Sequence, residues 1–138
     1  MTRCMLFVDD DPDDVFLIER ALSRRAPDAP AEFAPGGREA IARLATSVDG
    51  GADLPAVVIT DPNMPGVGGF DLLRHIRADA GLRRVPVVVM SSSSNPEDVR
   101  TAYECGANAF VVKPVRLDDL GDLLATVARF WVHYNRAA

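Results

Sequence analysis

Hydrophobic and polar residues follow a block pattern along this chain, in which short apolar runs precede longer amphipathic segments. The run at 85–90, Val-Pro-Val-Val-Val-Met, is apolar at every position, which indicates a strand buried on both faces of a sheet. The segment 12–25 instead carries Val15, Ile18 and Leu22 at helical spacing. The pattern therefore favours strands that alternate with helices.

Five strands and five helices are predicted in alternation. The strands cover residues 3–8, 31–34, 54–60, 85–90 and 109–112. The helices cover residues 12–25, 38–46, 70–77, 96–105 and 117–134. Because continuously apolar strands need helices on both faces, this order predicts an α/β fold. We expect a (βα)5 doubly wound parallel sheet with the flavodoxin-like order 2-1-3-4-5, in one domain over residues 1–138 without an output domain.

Composition limits the class of protein and partner. The chain has 138 residues and a formal net charge of −5, which argues against a nucleic-acid partner. No apolar stretch approaches the ~20 residues of a membrane span, and the start of the chain lacks the long apolar region of a signal peptide. Cys4 and Cys105 lie in apolar segments and are expected to be free thiols, which favours the cytoplasm.

Polar side chains stand where four of the apolar strands end. They are Asp9 and Asp10, then Asp61, then Ser91 and Ser92, then Lys113. The carboxyl ends of parallel strands share one edge of the sheet, and the switch in strand order lies between the first and third strands. We therefore expect three carboxylates, a hydroxyl and an amine to meet in one crevice.

This set of groups suits phosphoryl transfer. Clustered carboxylates repel one another, so either some of them bind protons or a cation joins them, and oxygen ligands suit Mg²⁺. A carboxylate beside the ion can attack phosphorus and form an aspartyl phosphate, and Asp61 is the candidate nucleophile. Lys113, the Ser91 hydroxyl and the backbone N–H of Asn63 are expected to bind the phosphoryl oxygens. Lys113 is the only lysine, since 14 of the 15 basic residues are arginine.

Four segments, FVDDDPDD, VVITDPNMPG, VVVMSSSS and FVVKP, together resemble the receiver domain of bacterial two-component response regulators. The resemblance extends over roughly residues 3–135. It implies that Asp61 is the phosphoacceptor. It also implies that Asp10 and Asp61 bind the metal ion directly, that Asn63 binds it through its backbone carbonyl and that Asp9 binds it through water. The implied phosphoryl-binding and switch residues are Ser91, Ser92, Phe110 and Lys113. Pro62 after the phosphoacceptor is unusual for the family, and Phe110 cannot make the hydrogen bond of a tyrosine switch.

The resemblance also implies function and partners. The protein would be a phosphorylation-dependent switch that takes a phosphoryl group from a sensor histidine kinase and signals to a downstream protein or a phosphotransfer protein. It would not be an enzyme beyond its own phosphorylation and dephosphorylation. The segments DDDPDDVFLIERAL and RFW resemble single-domain regulators that accompany phytochrome-like histidine kinases.

The last predicted helix suggests a contact surface. Its sheet-facing residues are predicted to be Leu120, Leu123, Leu124, Val127, Trp131 and Tyr134. Phe130 lies at the margin of this stripe and Val132 well off it. In the resembled family the fourth helix, fifth strand and fifth helix form the face that phosphorylation remodels, so a homodimer through Phe130 or Val132 is expected.

Smaller roles are predicted for the other acidic residues near the first strand. Asp11 is expected to cap the first helix, and Asp13 and Asp14 are expected only to favour its positive end.

Two other classes remain open from the residues. A Mg²⁺-dependent phosphohydrolase could also use an aspartyl nucleophile, but such enzymes need a carboxylate two residues further on, where this chain has Asn63. A flavin-binding electron carrier would place its phosphate site after the first strand, where this chain has five aspartates within six positions.

Overall fold

The computed structural model describes residues 3–50 and 53–137. The strands are β1 (Met5–Val8), β2 (Ala31–Ala34), β3 (Val57–Thr60), β4 (Val87–Ser91) and β5 (Ala109–Val112). The helices are α1 (Pro12–Arg25), α2 (Gly37–Val48), α3 (Gly69–Ala78), α4 (Pro96–Glu104) and α5 (Leu117–Ala128), and a π-helix (Arg129–Tyr134) continues α5. All ten predicted strands and helices are present.

The sheet has the predicted topology. Its five strands lie in the order β2-β1-β3-β4-β5, and every neighbouring pair is parallel. The doubly wound α/β fold is thereby confirmed. The order reverses between β1 and β3, so the crevice at the carboxyl ends of these two strands is the expected binding position.

Local sequence signals fix the ends of two helices. The Asp11 carboxylate accepts a hydrogen bond from the Asp13 N–H at 2.9 Å and caps α1, as predicted. Asn95 caps α4 in the same way through the Glu97 N–H at 3.0 Å. Gly106, two residues after the end of α4, has a φ of +103°. This left-handed conformation prevents the helix from continuing.

Alternate strand residues fill two separate cores. Leu6, Val8 and Val58 face α2, α3 and α4, whereas Phe7 and Val57 face α1 and α5. This alternation is the two-residue period of a strand. Helices therefore cover both faces of the sheet and leave its edges to carry polar groups.

The end of the last helix differs from the prediction. The Asn135 N–H bonds the Phe130 carbonyl at 2.6 Å, a five-residue spacing that identifies a π-helical turn. This wider turn contains one residue more than an α-turn. Each later side chain therefore points in the direction that the preceding residue would have in a regular α-helix. Val132 therefore packs partly buried against the core, and Tyr134 is 66% exposed. The predictions that Val132 lies off the buried face and that Tyr134 packs on the sheet are both wrong.

Within the described residues, no helix combines the length and the apolar character needed to cross a membrane.

Candidate functional site

Backbone hydrogen bonds bring the polar strand ends together. Asp61 follows β3, and its N–H bonds the Val8 carbonyl at the end of β1 at 3.0 Å. Lys113 follows β5, and its N–H bonds the carbonyl of Ser91, the last residue of β4, at 2.7 Å. The parallel pairing of the strands therefore sets the spacing of the groups at this edge.

The Lys113 ammonium lies among three carboxylates. Its Nζ is 2.9 Å from Asp14 Oδ2, 3.4 Å from Asp9 Oδ2 and 3.7 Å from Asp61 Oδ2. The lysine side chain is only 10% exposed. Burial alone would lower the pKa of Lys113, but the hydrogen bond to Asp14 and the charges of the three carboxylates raise it above its ordinary value. The ammonium is therefore charged at neutral pH.

Asp14 is a site residue that the sequence interpretation missed. Its prediction as a helix-end charge alone is wrong, because its carboxylate binds Lys113 in the crevice and is 30% exposed. Helix α1 starts directly above the end of β1, so a first-turn side chain on the sheet side borders the crevice. This position in the first turn was the available signal.

The carboxylates form a group that suits a divalent cation. One oxygen from each of Asp9, Asp14 and Asp61 lies within 4.8 Å of the others. Burial raises the pKa of Asp9 and of Asp61. Each carboxylate also accepts a hydrogen bond that opposes this rise, Asp9 from the Asp11 N–H and Asp61 from the Asn63 N–H. Three carboxylates and one ammonium leave an excess of negative charge, and hard oxygen ligands are what Mg²⁺ prefers.

Two residues predicted as metal ligands lie at the rim of the crevice. Asp10 is exposed and is not a member of the carboxylate group above, although its charge contributes to the raised pKa of Asp61. Asn63 is exposed, and its N–H bonds Asp61 Oδ1 at 2.8 Å. Their predicted roles as direct ligands remain predictions.

The predicted phosphoryl-binding and switch residues differ in burial. Ser91 is buried, and its Oγ accepts a hydrogen bond from the Ser93 N–H at 3.1 Å, whereas Ser92 is exposed. Phe110 is half-buried beside the core under α2, α3 and α4 and lies opposite Val89 in the sheet. Ser91 is thus at the crevice edge, and Phe110 is two strand residues before its end.

Glycine at the start of α3 lets the phosphoacceptor loop fold tightly. A Cβ on Gly69 would overlap the Asp61 carbonyl and would lie 2.7 Å from the Pro62 Cα. The first turn of α3 therefore packs directly against the backbone that carries Asp61. Gly66, within the same loop, has a φ of +73°, which favours glycine.

The sequence profile of the response regulator receiver domain matches residues 5–125. This chain belongs to that family. The receiver domain is 32% identical over 133 residues to the probable methanogenesis regulatory protein FilR2 of Methanothrix harundinacea, with 96% of this chain and 86% of FilR2 aligned. It is 45% identical over 67 residues to the two-component response regulator ORR3 of rice, Oryza sativa, which aligns 49% of this chain with only 51% of ORR3.

Solved structures extend the similarity of this receiver domain over its whole length. The phosphorylated cyanobacterial phytochrome response regulator RcpA superposes with a TM-score of 0.88 at 28% identity, and the Mn²⁺-bound response regulator Rcp1 with 0.84 at 27%. The bacteriophytochrome response regulator AtBRR superposes with 0.75 at 33%. Each comparison covers 99% of both chains.

Membership of the family defines the general function. Receiver domains of response regulators are phosphorylation-dependent switches of two-component signalling, partner with histidine kinases and bind Mg²⁺ in an acidic pocket. In the described residues, Asp9, Asp14 and Asp61 come together as an acidic group at the crevice. The family is a signalling one, so the phosphohydrolase alternative is not favoured.

Proposed function

We propose that this receiver domain takes a phosphoryl group from a sensor histidine kinase onto Asp61. The observation that carries the proposal is the environment of this carboxylate. Asp61 Oδ1 is held by the Asn63 N–H, while Oδ2 faces the Lys113 ammonium at 3.7 Å. The side chain is 18% exposed, compared with 5% for Asp9. Asp61 is thus fixed, next to a positive charge, and open to a donor.

The transfer forms one bond and breaks one bond. A carboxylate oxygen of Asp61 attacks phosphorus, and the phosphorus–nitrogen bond of the donor phosphohistidine breaks, with its electron pair left on the imidazole. Lys113 then pairs with the phosphoryl oxygens, and the Ser91 hydroxyl donates to one of them. A bound Mg²⁺, held by Asp10, Asp61 and the Asn63 carbonyl and by Asp9 through water, would supply charge neutralisation for these oxygens.

Mass spectrometry after incubation with acetyl phosphate and Mg²⁺ tests the phosphoacceptor. The wild type should gain about 80 Da, the mass of one phosphoryl group added to a carboxylate. Asp61→Asn should gain nothing, and Asp13→Asn, which removes an exposed carboxylate of the same stretch, should behave as the wild type. An equal gain in Asp61→Asn would overturn the assignment.

The proposed kinase contact lies beside the crevice on α1. A groove of about 290 Å³ opens there, and Asp9, Asp10, Phe16 and Phe33 are among its lining residues. Phe16 is 60% exposed. An apolar groove that reaches the acidic pocket fits a helix whose histidine carries the phosphoryl group. Phe16→Ser should slow transfer from a phosphorylated kinase and leave phosphorylation by acetyl phosphate unchanged; an equal effect on both donors would argue against the contact.

The similarity to RcpA, Rcp1 and AtBRR supports a phytochrome-like histidine kinase as the donor. Phosphate transfer from a panel of purified kinases, phytochrome-like and unrelated, tests this choice by initial rate. The free thiols of Cys4 and Cys105 support a cytoplasmic location.

For the output, we propose contact with a downstream protein or phosphorelay to a phosphotransfer protein, together with a homodimer through the face formed by α4, β5 and α5. Tyr103, Val112 and Leu117, one on each element, are exposed apolar residues, and Phe130 is also exposed. Val132 is removed from this surface because it packs on the core.

Sedimentation at tens of micromolar, a concentration matched to an association of roughly −6 to −7 kcal/mol, tests the dimer. Protein treated with beryllofluoride should dimerise, and Tyr103→Ser or Phe130→Ser should weaken the association. Monomers in both the free and the treated state would exclude the dimer.

A further inference from the structure

The shortest side-chain contact of the Lys113 ammonium is not with the phosphoacceptor. Lys113 Nζ donates to Asp14 Oδ2 at 2.9 Å, whereas its distance to Asp61 Oδ2 is 3.7 Å. Asp14 belongs to the first turn of α1, and Lys113 follows β5. The bond therefore joins two residues that are 99 positions apart in the sequence, and it holds the ammonium on the α1 side of the crevice.

We propose that Asp14 is a positioning residue that retains Lys113 in the unphosphorylated protein and so opposes the phosphorylated state. The proposal rests on the proposed function, because it concerns the phosphoryl group carried by Asp61. Asp14 touches neither donor nor phosphorus; it acts through Lys113.

The negative charge added by phosphorylation determines which state Asp14 favours. Phosphorylation replaces the single negative charge of Asp61 with a phosphoryl group of up to two negative charges. The Asp14 oxygen belongs to the group whose members lie within 4.8 Å of one another, so it faces this added charge. In addition, Asp14 competes with the phosphoryl oxygens for the Lys113 ammonium, which it already binds at 2.9 Å. Both effects favour the unphosphorylated protein, because like charges at short range repel in a partly buried site.

Another role for Asp14 makes the opposite prediction. If its carboxylate served mainly to hold a cation, removing its charge would weaken Mg²⁺ binding and hence every phosphoryl analogue that binds with Mg²⁺. If it retains Lys113, removing its charge strengthens binding of such an analogue. The sign of one affinity change therefore decides between the two roles.

The first measurement is the affinity of beryllofluoride in saturating Mg²⁺, for the wild type, Asp14→Asn and Asp13→Asn. The two variants change the same charge on adjacent residues of the same helix turn, and the Asp13 side chain is exposed and outside the crevice. We expect about tenfold tighter binding to Asp14→Asn, the factor that corresponds to a coupling of one pKa unit, and no change for Asp13→Asn. Unchanged or weaker binding to Asp14→Asn overturns the proposal.

The second measurement observes Lys113 itself. Because the sequence contains one lysine, protein labelled with ¹⁵N-lysine gives a single side-chain ammonium resonance. In the wild type this signal should be protected from exchange with water, and in Asp14→Asn it should shift and exchange at least several times faster. The same signal in Asp13→Asn should match the wild type. An ammonium signal that is identical in all three proteins would show that Asp14 does not hold Lys113.

The design separates the two proposals. If beryllofluoride binds none of the proteins, the proposed phosphoryl site fails. If it binds all three equally well, the site stands and the role of Asp14 fails.

Discussion

Asp9 and Asp61 illustrate, at the scale of single residues, a site in which burial works against stability. Burial raises the pKa of both carboxyl groups above the ordinary 3.8, and neighbouring carboxylates add to the rise. The metal-free folded protein therefore holds these protons to higher pH than the unfolded chain does. Stability falls as pH rises from 3.8 through the raised values, because the ionised groups are less favourable in the folded state.

Asp61→Asn should therefore stabilise the metal-free protein at pH 7, because burial raises the pKa of Asp61 and the amide carries no charge to bury. The gain should disappear as the pH is lowered below 3.8, where the wild-type carboxyl is protonated in both states. Urea unfolding in the presence of a chelator at pH 7 and pH 3.5 measures the difference. Asp13→Asn serves as the control and should be slightly destabilising, because it removes a favourable charge from the start of α1. A less stable Asp61→Asn at pH 7 would contradict the interpretation.

How far the site could be predicted depends on the kind of element that carries each residue. Asp9, Asp61, Ser91 and Lys113 stand at strand ends, and parallel pairing brings strand ends to one edge whatever the helices do. Asp14 stands on a helix, where the direction of a side chain depends on how the helix docks against the sheet. Periodicity alone cannot supply that angle, and it predicts for Asp14 only a charge at the start of the helix.

At the scale of secondary-structure elements, the site depends on close contact between α3 and the loop that carries Asp61. Gly69→Ala should displace this loop, because the new Cβ meets backbone atoms of Asp61 and Pro62 that cannot move aside. We expect a loss of roughly 1–3 kcal/mol, typical of overpacking, and slower phosphorylation by acetyl phosphate.

Gly121→Ala is the matched control. Gly121 is also a buried helical glycine, but its Cβ would meet only side-chain atoms of the flexible Arg25, Nη1 at 3.0 Å and Cγ at 3.3 Å. Alanine there should be neutral or stabilise by up to about 1 kcal/mol through helix propensity. Thermal unfolding of the two variants compares them directly, and similar losses in both would show that the contact with Asp61 is not special.

The opposite edge of the sheet is held by one arginine that the sequence interpretation did not single out. The Arg77 guanidinium on α3 donates to the carbonyls of Gly106 at 2.9 Å and Val85 at 2.7 Å, and to Asn108 Oδ1 at 2.9 Å. Its partners are neutral, and burial lowers the pKa of Arg77 from its ordinary value.

Arg77→Lys should destabilise the protein by about 2 kcal/mol, because an ammonium keeps the charge but cannot reach several carbonyls at once. Arg74→Lys, which changes an exposed arginine of the same helix, should have almost no effect. Chemical denaturation measures both. Equal stability of the two variants would show that the guanidinium geometry at residue 77 is unimportant.

The existence of every element could be predicted, but some ends could not. The third strand was predicted over residues 54–60, whereas β3 is Val57–Thr60. Val57 pairs with Met5, the first residue of β1, so the length of β3 is limited by its neighbour rather than by its own apolar sequence. The π-helical turn after α5 likewise depends on packing, because the segment 129–134 has helical periodicity in either form.

For the whole molecule, the two edges of the sheet have different chemistry. The carboxyl edge carries the charged groups of the crevice, with an ammonium shared among three carboxylates. The other edge is tied by hydrogen bonds from the Arg77 guanidinium to neutral carbonyl oxygens and by the ion pair of Arg43 with Glu32 at 2.7 Å. Charge added at Asp61 therefore enters the edge at which the charged groups of the crevice already meet.

The π-helix should allow one residue to be deleted near the end of the chain with little loss of stability. One residue can be deleted from 129–134 with the segment becoming a regular α-helix, because the π-turn contains one residue more than an α-turn. Deleting Arg129 would leave Val132 on the core face that it already occupies, at a cost below about 1 kcal/mol. Deleting Asp122 inside α5 would instead rotate Leu124 and Val127 away from the core, a loss of several kcal/mol. The melting temperatures of the two shortened chains should therefore differ widely, although each lacks one exposed residue of the same C-terminal segment.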